Sequence, residues 1–391
     1  MVKERIVKVC VVVENHPSAV MGGAQYQGHL LAEEFARRDG VTVTYLARGV
    51  RPDRCIEEKI SYAVRRIGTS AGIRHRAVLF DAPELWRALH DLTPDVVYQQ
   101  MRQSYTAVCA HYARKVKIPF FFHIAHDFDL DPRWFANRVS ANLPFDVAEN
   151  ALGLWGMRHA SHIIAQSGRQ GRLLEERIGR AADTIVRNFQ PIPAQLPARP
   201  DGPLEVFWVA NFKDVKRPEL FVQLAESFVG RDDVKFTMAG RLSSHRRFTA
   251  LMDRIERAPN IKYLGELSLE AVNQRMTKAG IHVSTSSHEG FPNTFIQAWA
   301  HGAVVMSLAV DPDEEGMEAL GIGFCTGTLD RLKVIIDEMA RSPARLRAVA
   351  ERAFVFAEKN HSLAHGARLV DLMLDAAKQA RPLRNGAVGR G

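Results

Sequence analysis

The sequence is poor in the features that send a chain into a bilayer or out of a reducing compartment. No apolar run approaches the roughly 20 residues needed to cross a membrane. The start, MVKERIVKVCVVVENHP, resembles a leader in composition, but Lys8 splits its apolar run and no small-residue cleavage site follows. It reads instead as a first buried strand. Cysteine is scarce: Cys10, Cys55, Cys109 and Cys325 are scattered, and no two form a Cys-x-x-Cys pair. That argues for reduced thiols, a cytoplasmic chain and no zinc site. No low-complexity tract or short-period repeat is present. No basic and aromatic residues interleave as a stacking platform, and no recognition motif accompanies the positive charge, which speaks against nucleic acid as a partner. No acidic cluster stands out as a DxD-type metal motif. The alternating acids of Asp127-Phe-Asp-Leu-Asp131 adjoin His126 and read as loop chemistry.

What is present is a chain of 391 residues, 46% hydrophobic and 25% charged. This is the composition of a soluble globular protein with two domains of ordinary size. The net charge is +8 and lopsided, with 26 Lys and Arg against 20 Asp and Glu in residues 1–187. Arg65-Arg66, Arg74-His75-Arg76 and Arg114-Lys115-Val116-Lys117 supply much of the excess. Such clusters are commonly solvated surface. They also fit attraction to an anionic surface, either a membrane leaflet or a phosphorylated acceptor.

Short β-branched runs alternate with helical patterns. Strands are expected at Ile6–Val13, Val41–Ala47, Asp95–Gln99, Pro119–His126 and His162–Ser167. A proline-rich stretch, NFQPIPAQLPARPDGP, then breaks the pattern. The alternation restarts with strands at Leu204–Ala210, Val234–Gly240, Ile261–Gly265, Ile281–Ser286 and Ala303–Ala309, and a helix at Pro218–Phe228. Strand–helix–strand alternation implies parallel sheets covered by helices on both faces. The expected organisation is α/β: a doubly wound domain over 1–188, a linker over 189–203, a second doubly wound domain over 204–370, and a helix end with a disordered tail over 371–391. In such folds ligands bind beyond the carboxyl ends of the strands.

Four stretches carry chemistry. Met21-Gly-Gly-Ala-Gln25 joins the first strand to a helix, where paired glycines let main chain approach a ligand and the helix N-terminus favours an anion. His126-Asp127 ends the strand at Pro119–His126. In VANFKDVKRPELF (Val209–Phe221) a strand ends, Lys213, Lys216 and Arg217 crowd a turn, and Pro218 opens a helix. SSHEGFPNTFIQAWAHG (Ser286–Gly302) is the most informative. Its helix starts at Pro292 or Asn293, which places Asn293 and Gln297 on one face. The first-turn N–H groups can take a phosphate, and Glu289 stands just before them. A carboxylate beside a phosphate site suits a sugar linked to a nucleoside diphosphate.

With these four stretches in this order, the sequence resembles the retaining glycosyltransferases of family 4, which have the GT-B fold of two Rossmann-like domains facing across a cleft. EGFPNTFIQAWAHGAVV resembles the family's E-x7-E segment, GGAQYQ its amino-terminal glycine loop, VANFKDVKRPELF its diphosphate-binding turn and RNFQPIP its interdomain hinge. The resemblance implies that Glu289 contacts sugar hydroxyls, and that the main chain at Gly290, Phe291, Pro292 and Asn293 meets the sugar and diphosphate. It places Lys216 against the diphosphate, His126 beside the transferred sugar, Gly22 and Gly23 over the donor, and Ser286 in the pocket lining. Arg241 and Leu264–Gly265 fall where the family holds the base. Two positions depart. The second glutamate of the E-x7-E segment is Gln297, which keeps hydrogen-bonding capacity but loses the charge. The arginine that accompanies the lysine is Asn211, for which Lys213 is a substitute. The implied activity is retaining transfer from a nucleotide-diphosphate sugar to a saccharide or lipid-linked acceptor in polysaccharide or glycolipid synthesis. The expected location is the cytoplasm, and the basic charge of residues 1–187 fits a peripheral place at the inner face of the plasma membrane. No cofactor or metal is called for. A nucleotide-sugar epimerase or hydrolase, with His126 as base, and a non-catalytic sugar-nucleotide-binding scaffold are the alternatives.

Overall fold

The structure is a computed structural model, described here for residues 6–50, 60–68, 80–132, 143–242 and 246–380. The Arg74-His75-Arg76 cluster, Cys55 and the tail from Arg381 lie outside these residues. The chain divides into two compact units, residues 1–188 with 364–391, and residues 189–363.

The first unit runs β1 (Val7–Val12), α1 (Gly23–Ala36), β2 (Val41–Ala47), β3 (Ala63–Arg66), α2 (Ala82–Leu92), β4 (Val96–Gln100), α3 (Ser104–Val116), β5 (Phe120–His123), a 3-10 turn (Asp127–Leu130), α4 (Leu143–Arg158), β6 (His162–Ala165), α5 (Gly168–Ile178) and β7 (Thr184–Ile185). Its seven strands lie in the order β3-β2-β1-β4-β5-β6-β7, paired in parallel. The pair Arg65-Arg66, read from sequence as a charge cluster, sits in edge strand β3, where charge blunts an otherwise open row of hydrogen-bonding groups. On the other side of β2, β1 is buried from Val9 to Val12, an unbroken apolar stretch of the kind found in parallel strands covered on both faces.

The second unit runs β8 (Leu204–Val209), a 3-10 turn (Asp214–Lys216), α6 (Pro218–Glu226), β9 (Val234–Ala239), α7 (Arg246–Arg257), β10 (Ile261–Tyr263), α8 (Leu269–Lys278), β11 (Ile281–Ser284), α9 (Asn293–Ala300), β12 (Val304–Ser307), β13 (Gly323–Cys325), α10 (Leu329–Arg341) and α11 (Pro343–His361). Its sheet is wound alike, β10-β9-β8-β11-β12-β13, again in parallel. Alternate residues of β8 serve two cores: Val206 and Trp208 pack with α6, α7 and α10, while Phe207 packs with Phe295, Trp299 and Met276 of α9 and α8.

Two findings differ from the sequence expectation. The stretch 189–203, expected as a linker, groups with the second unit and is anchored at its start: Phe189 is buried, and Gln190 bridges to Ser362 and donates its N–H to His361 O at 2.8 Å. At the other end, residues from Ala364 of α12 (Leu363–Ala380) group with the first unit. Leu369, Val370, Met373 and Leu374 are buried there, and Asp371 pairs with Arg38 at 3.1 Å.

Candidate functional site

A doubly wound sheet opens a crevice where its strand order reverses. In the second unit this falls between β8 and β11, and the segments leaving those strands are residues 210–217 and 285–292. Several bonds stitch the two together. Ser287 N donates to Val215 O at 2.9 Å. Thr285 Oγ1 donates to Lys216 O at 2.6 Å and accepts from Trp208 Nε1 at 3.0 Å. The Arg217 guanidinium donates to Thr285 O at 2.6 Å and to Ser286 O at 3.1 Å. This stitching brings Lys216 and Glu289, 73 residues apart in sequence, into a part-buried ion pair.

Beyond Glu289 the chain turns through Gly290, and Phe291 packs against His361 with ring centroids 4.7 Å apart. Pro292 precedes α9 in extended backbone, and no side chain caps that helix. Gln190 Nε2 donates to Asn293 O at 2.8 Å, so residue 190 braces the first turn. Gln297, one turn further, is buried, and its Nε2 donates to Asn273 Oδ1 of α8 at 2.9 Å.

Asn211, Arg241 and Gly265 form a second corner of the same edge. Asn211 Oδ1 accepts from Arg241 N at 3.3 Å, Phe212 N donates to Arg241 O at 3.0 Å, and Gly240 N donates to Gly265 O at 2.8 Å. Gly240 has φ +139°, and a β-carbon there would stand 1.8 Å from Ala210 O. Only glycine lets these turns approach so closely. Lys213 is exposed at the start of the 3-10 turn.

In the first unit the order reverses between β1 and β4. Gly22 caps α1 in extended backbone, with no side-chain cap. His126 follows β5, which ends at His123 rather than reaching His126. The cause is Asp129, a buried carboxylate that accepts from Ala125 N at 2.7 Å, His126 N at 3.1 Å and Arg102 N at 3.0 Å, drawing the chain out of the sheet. Asp127 pairs with Arg169 at 3.1 Å. Both acids are thus engaged in loop structure. Among the described residues no three His, Cys, Asp or Glu side chains gather as a metal site.

Two family models match the sequence: Glycosyltransferase Family 4 over residues 21–188, and Glycosyl transferases group 1 over residues 203–332. The chain belongs to this family of glycosyltransferases. No curated protein matches it in sequence. Solved structures match in fold. Sucrose-phosphate synthase from Thermosynechococcus elongatus is 14% identical, with 96% of this chain and 100% of that one covered and a TM-score of 0.76. HepE from Anabaena, in complex with UDP and glucose, is 18% identical over 95% and 100%, with a TM-score of 0.73. WaaG, a glycosyltransferase involved in lipopolysaccharide biosynthesis, is 13% identical over 93% and 99%, with a TM-score of 0.72. The architecture of the glycosyltransferase is therefore the two-domain Rossmann-like arrangement of GT-B structures.

Of the residues that sequence singles out, the second unit brings Lys216 and Glu289 into contact and sets Ser286 beside them through Arg217. Asn211, Arg241 and Gly265 form one corner, while Gln297 is joined to α8. In the first unit, Gly22 and Gly23 follow β1 and His126 follows β5, with β4 between the two strands. Sequence reasoning misses Thr285, Asn273 and Gln190, whose partners lie far along the chain or are main-chain groups, whereas the acids at 127–131 take the loop role read for them. The positive cluster at 213–217 was the only signal for Arg217.

Proposed function

We propose that this glycosyltransferase takes a nucleotide-diphosphate sugar as donor and transfers the sugar with retention to a saccharide or lipid-linked acceptor. The observation that carries the reading is the Lys216–Glu289 pair at the switch point of the second sheet. It sets one cation for a diphosphate beside one carboxylate for sugar hydroxyls. The α9 N-terminus, uncapped by any side chain, adds partial positive charge. A solved relative of this fold holds UDP and glucose, which supports the same donor chemistry here.

In this mechanism the bond between the anomeric carbon and the diphosphate oxygen breaks. The acceptor oxygen bonds the same face of that carbon, and its proton passes to an oxygen of the leaving diphosphate. No protein nucleophile and no metal is needed. Lys216 and the helix N-terminus stabilise the departing charge, and Glu289 orients the sugar. Main chain at Gly290–Asn293 and Ser286 line the sugar and diphosphate, Arg241 and Gly265 hold the base, and Gln297 meets the ribose. His126 and the glycines at 22 and 23 belong to the transferred sugar and donor. The protein works at the cytoplasmic face of a membrane, in polysaccharide or glycolipid synthesis, with its basic first unit on an anionic leaflet.

The test is incubation with UDP-, GDP- and ADP-sugars and a membrane extract, with and without chelator. A transferred sugar of unchanged anomeric configuration at an undiminished rate with chelator is expected. Inverted product or metal dependence would overturn those parts of the reading. Free monosaccharide or isomerised donor without acceptor would favour a hydrolase or epimerase, and donor binding without turnover a scaffold. Sedimentation with anionic vesicles should be stronger than with neutral ones and fall with salt; equal recovery removes the leaflet.

A further inference from the structure

Arg217 stands between the 3-10 turn that carries Lys216 and the helix that Pro218 opens. Its backbone is left-handed, at φ 45° and ψ 55°. A proline at the next position disfavours the right-handed helical region, but extended backbone was equally open to it. Left-handed conformation is uncommon for a residue with a β-carbon. Outliers of this kind persist where surrounding bonds over-determine them, and they gather at ligand sites. Here two side-chain bonds over-determine the turn. Nε donates to Thr285 O at 2.6 Å, and a terminal nitrogen donates to Ser286 O at 3.1 Å. A guanidinium presents its donors in a fixed fork, so two successive carbonyls fix both the distance and the tilt of the segment they belong to.

That segment leads within three residues to Glu289, and Arg217 is bonded in sequence to Lys216. The side chain therefore spans the two strand ends whose acid and base form the ion pair. We propose that Arg217 is the positioning residue of the donor site: it sets the separation between the Lys216 turn and the Glu289 loop, and so the fit of a nucleoside diphosphate. This rests on the donor reading given above. Arg217 acts through geometry, because Nε and one terminal nitrogen are turned to the protein's own carbonyls.

Two variants separate geometry from charge and from folding. Arg217→Gly removes the fork and relieves the positive φ, so the turn itself is eased. Arg217→Lys keeps a cation but has no planar fork. Binding of UDP, GDP and ADP is measured by calorimetry on the full chain, with thermal melting on the same samples and donor kinetics with the best nucleotide sugar. Arg217→Gly is expected to melt close to the unaltered protein yet bind the preferred diphosphate at least tenfold more weakly, with donor KM rising more than kcat falls. Arg217→Lys should bind as weakly as the glycine variant. Unchanged affinity in a folded glycine variant overturns the proposal, as does full affinity in Arg217→Lys, which would assign the effect to charge. If the glycine variant does not fold, the lysine comparison decides alone. If the unaltered chain binds none of the three diphosphates, the donor reading itself fails, an outcome distinct from variants that bind as well as their parent.

Discussion

The two sheets are wound alike and furnished differently where their strand order reverses. Beyond β8 and β11 the partners are largely main chain, with a single cation–carboxylate pair between the turns. Beyond β1, β2 and β4 main chain also joins the turns, as where Arg48 N donates to Glu14 O at 2.9 Å and His16 N to Gly49 O at 2.7 Å, but side chains, several of them carboxylates, are added to it. Gln103 Nε2 donates to Glu14 Oε2 at 2.8 Å, Arg48 pairs with Asp81 at 3.4 Å, and Ser104 N at the head of α3 donates to Glu149 at 2.6 Å. Arg102 reaches Asn150 Oδ1 at 2.6 Å and the Asp131 carbonyl at 2.9 Å. Burial raises the Glu149 carboxyl above its ordinary range. Both edges present an uncapped helix, α1 in the first unit and α9 in the second, but the first sets carboxylates near it, which accept from hydroxyls, and the second sets a lysine, which suits phosphate. One topology thus supports two chemistries, because function resides in the loops.

The sharpest break of that comparison is Glu289→Ala. Its carboxylate is loop-borne and bonded to a lysine rather than to the fold, so turnover should vanish while the melting curve stays close to that of the unaltered protein. Near-native transfer would remove Glu289 from the site. The opposite result is expected for the buried carboxylate of the first unit. Asp129→Ala strands the three main-chain N–H groups it serves and should cost roughly 3 kcal/mol of stability, measured by urea unfolding; a change under a few tenths would make the Asp129 bonds incidental.

Acid should also act through burial. Burial lowers His16 from 6.5 to about 4, with Tyr62 Oη 3.1 Å from its Nε2. It lowers His123 to about 3 and, in the second unit, His282 to about 4. Folded pKa values below the unfolded ones mean that the unfolded chain binds more protons between the two. Stability is therefore expected to fall as pH drops from about 6.5 towards 4, by up to about 3 kcal/mol for His16. His16→Gln should flatten the slope over that interval, and an unchanged slope would refute the assignment.

Lys216→Ala should weaken diphosphate binding by about 1.5–3 kcal/mol, the scale of a charge-assisted hydrogen bond, with calorimetry as the check. The smallest effects belong to Gln297. Gln297→Leu leaves the Asn273 amide unpaired and should cost about 1–3 kcal/mol, so donor titrations need melting curves beside them. Gln297→Glu should be tolerated, since Asn273 can present its N–H instead. Poor donor binding by the glutamate variant would mean that the site is tuned against a second negative charge, in keeping with Asn211 in place of arginine.

The legible part of the fold was its punctuation. Strand β2 was bounded correctly because polar turn residues flank a β-branched run, and Pro218 marked its helix. Helix α4 was not read, because Leu143, Phe145, Val147, Leu152 and Trp155 face outward while Gly153 and Gly156 pack inward, so no polar face marks a period. A β-carbon at Gly156 would come within 2.4 Å of Ala107 N, a demand for glycine that no local pattern announces. The sequence pattern carries strand β5 three residues too far at its C-terminal end, because the carboxylate that ends it lies six residues beyond its last member. At the site, residue types and order were legible. The bonds that aim them were not: the carbonyls that hold Arg217 lie 68 and 69 residues away.

Gly240 has a consequence for anyone who wishes to redesign the corner it shares with Asn211, Arg241 and Gly265. A methyl group there collides with main chain, which cannot swing aside, so the floor of that corner is closed to substitution. Gly265 shares the positive φ, at +75°, but has open space where a β-carbon would stand. Asparagine, which tolerates left-handed backbone, fits that position and would project an amide from it. The engineering freedom of the corner is therefore uneven: new hydrogen-bonding character can be introduced at 265 and exchanged at 211 and 241, whereas position 240 has an alphabet of one letter.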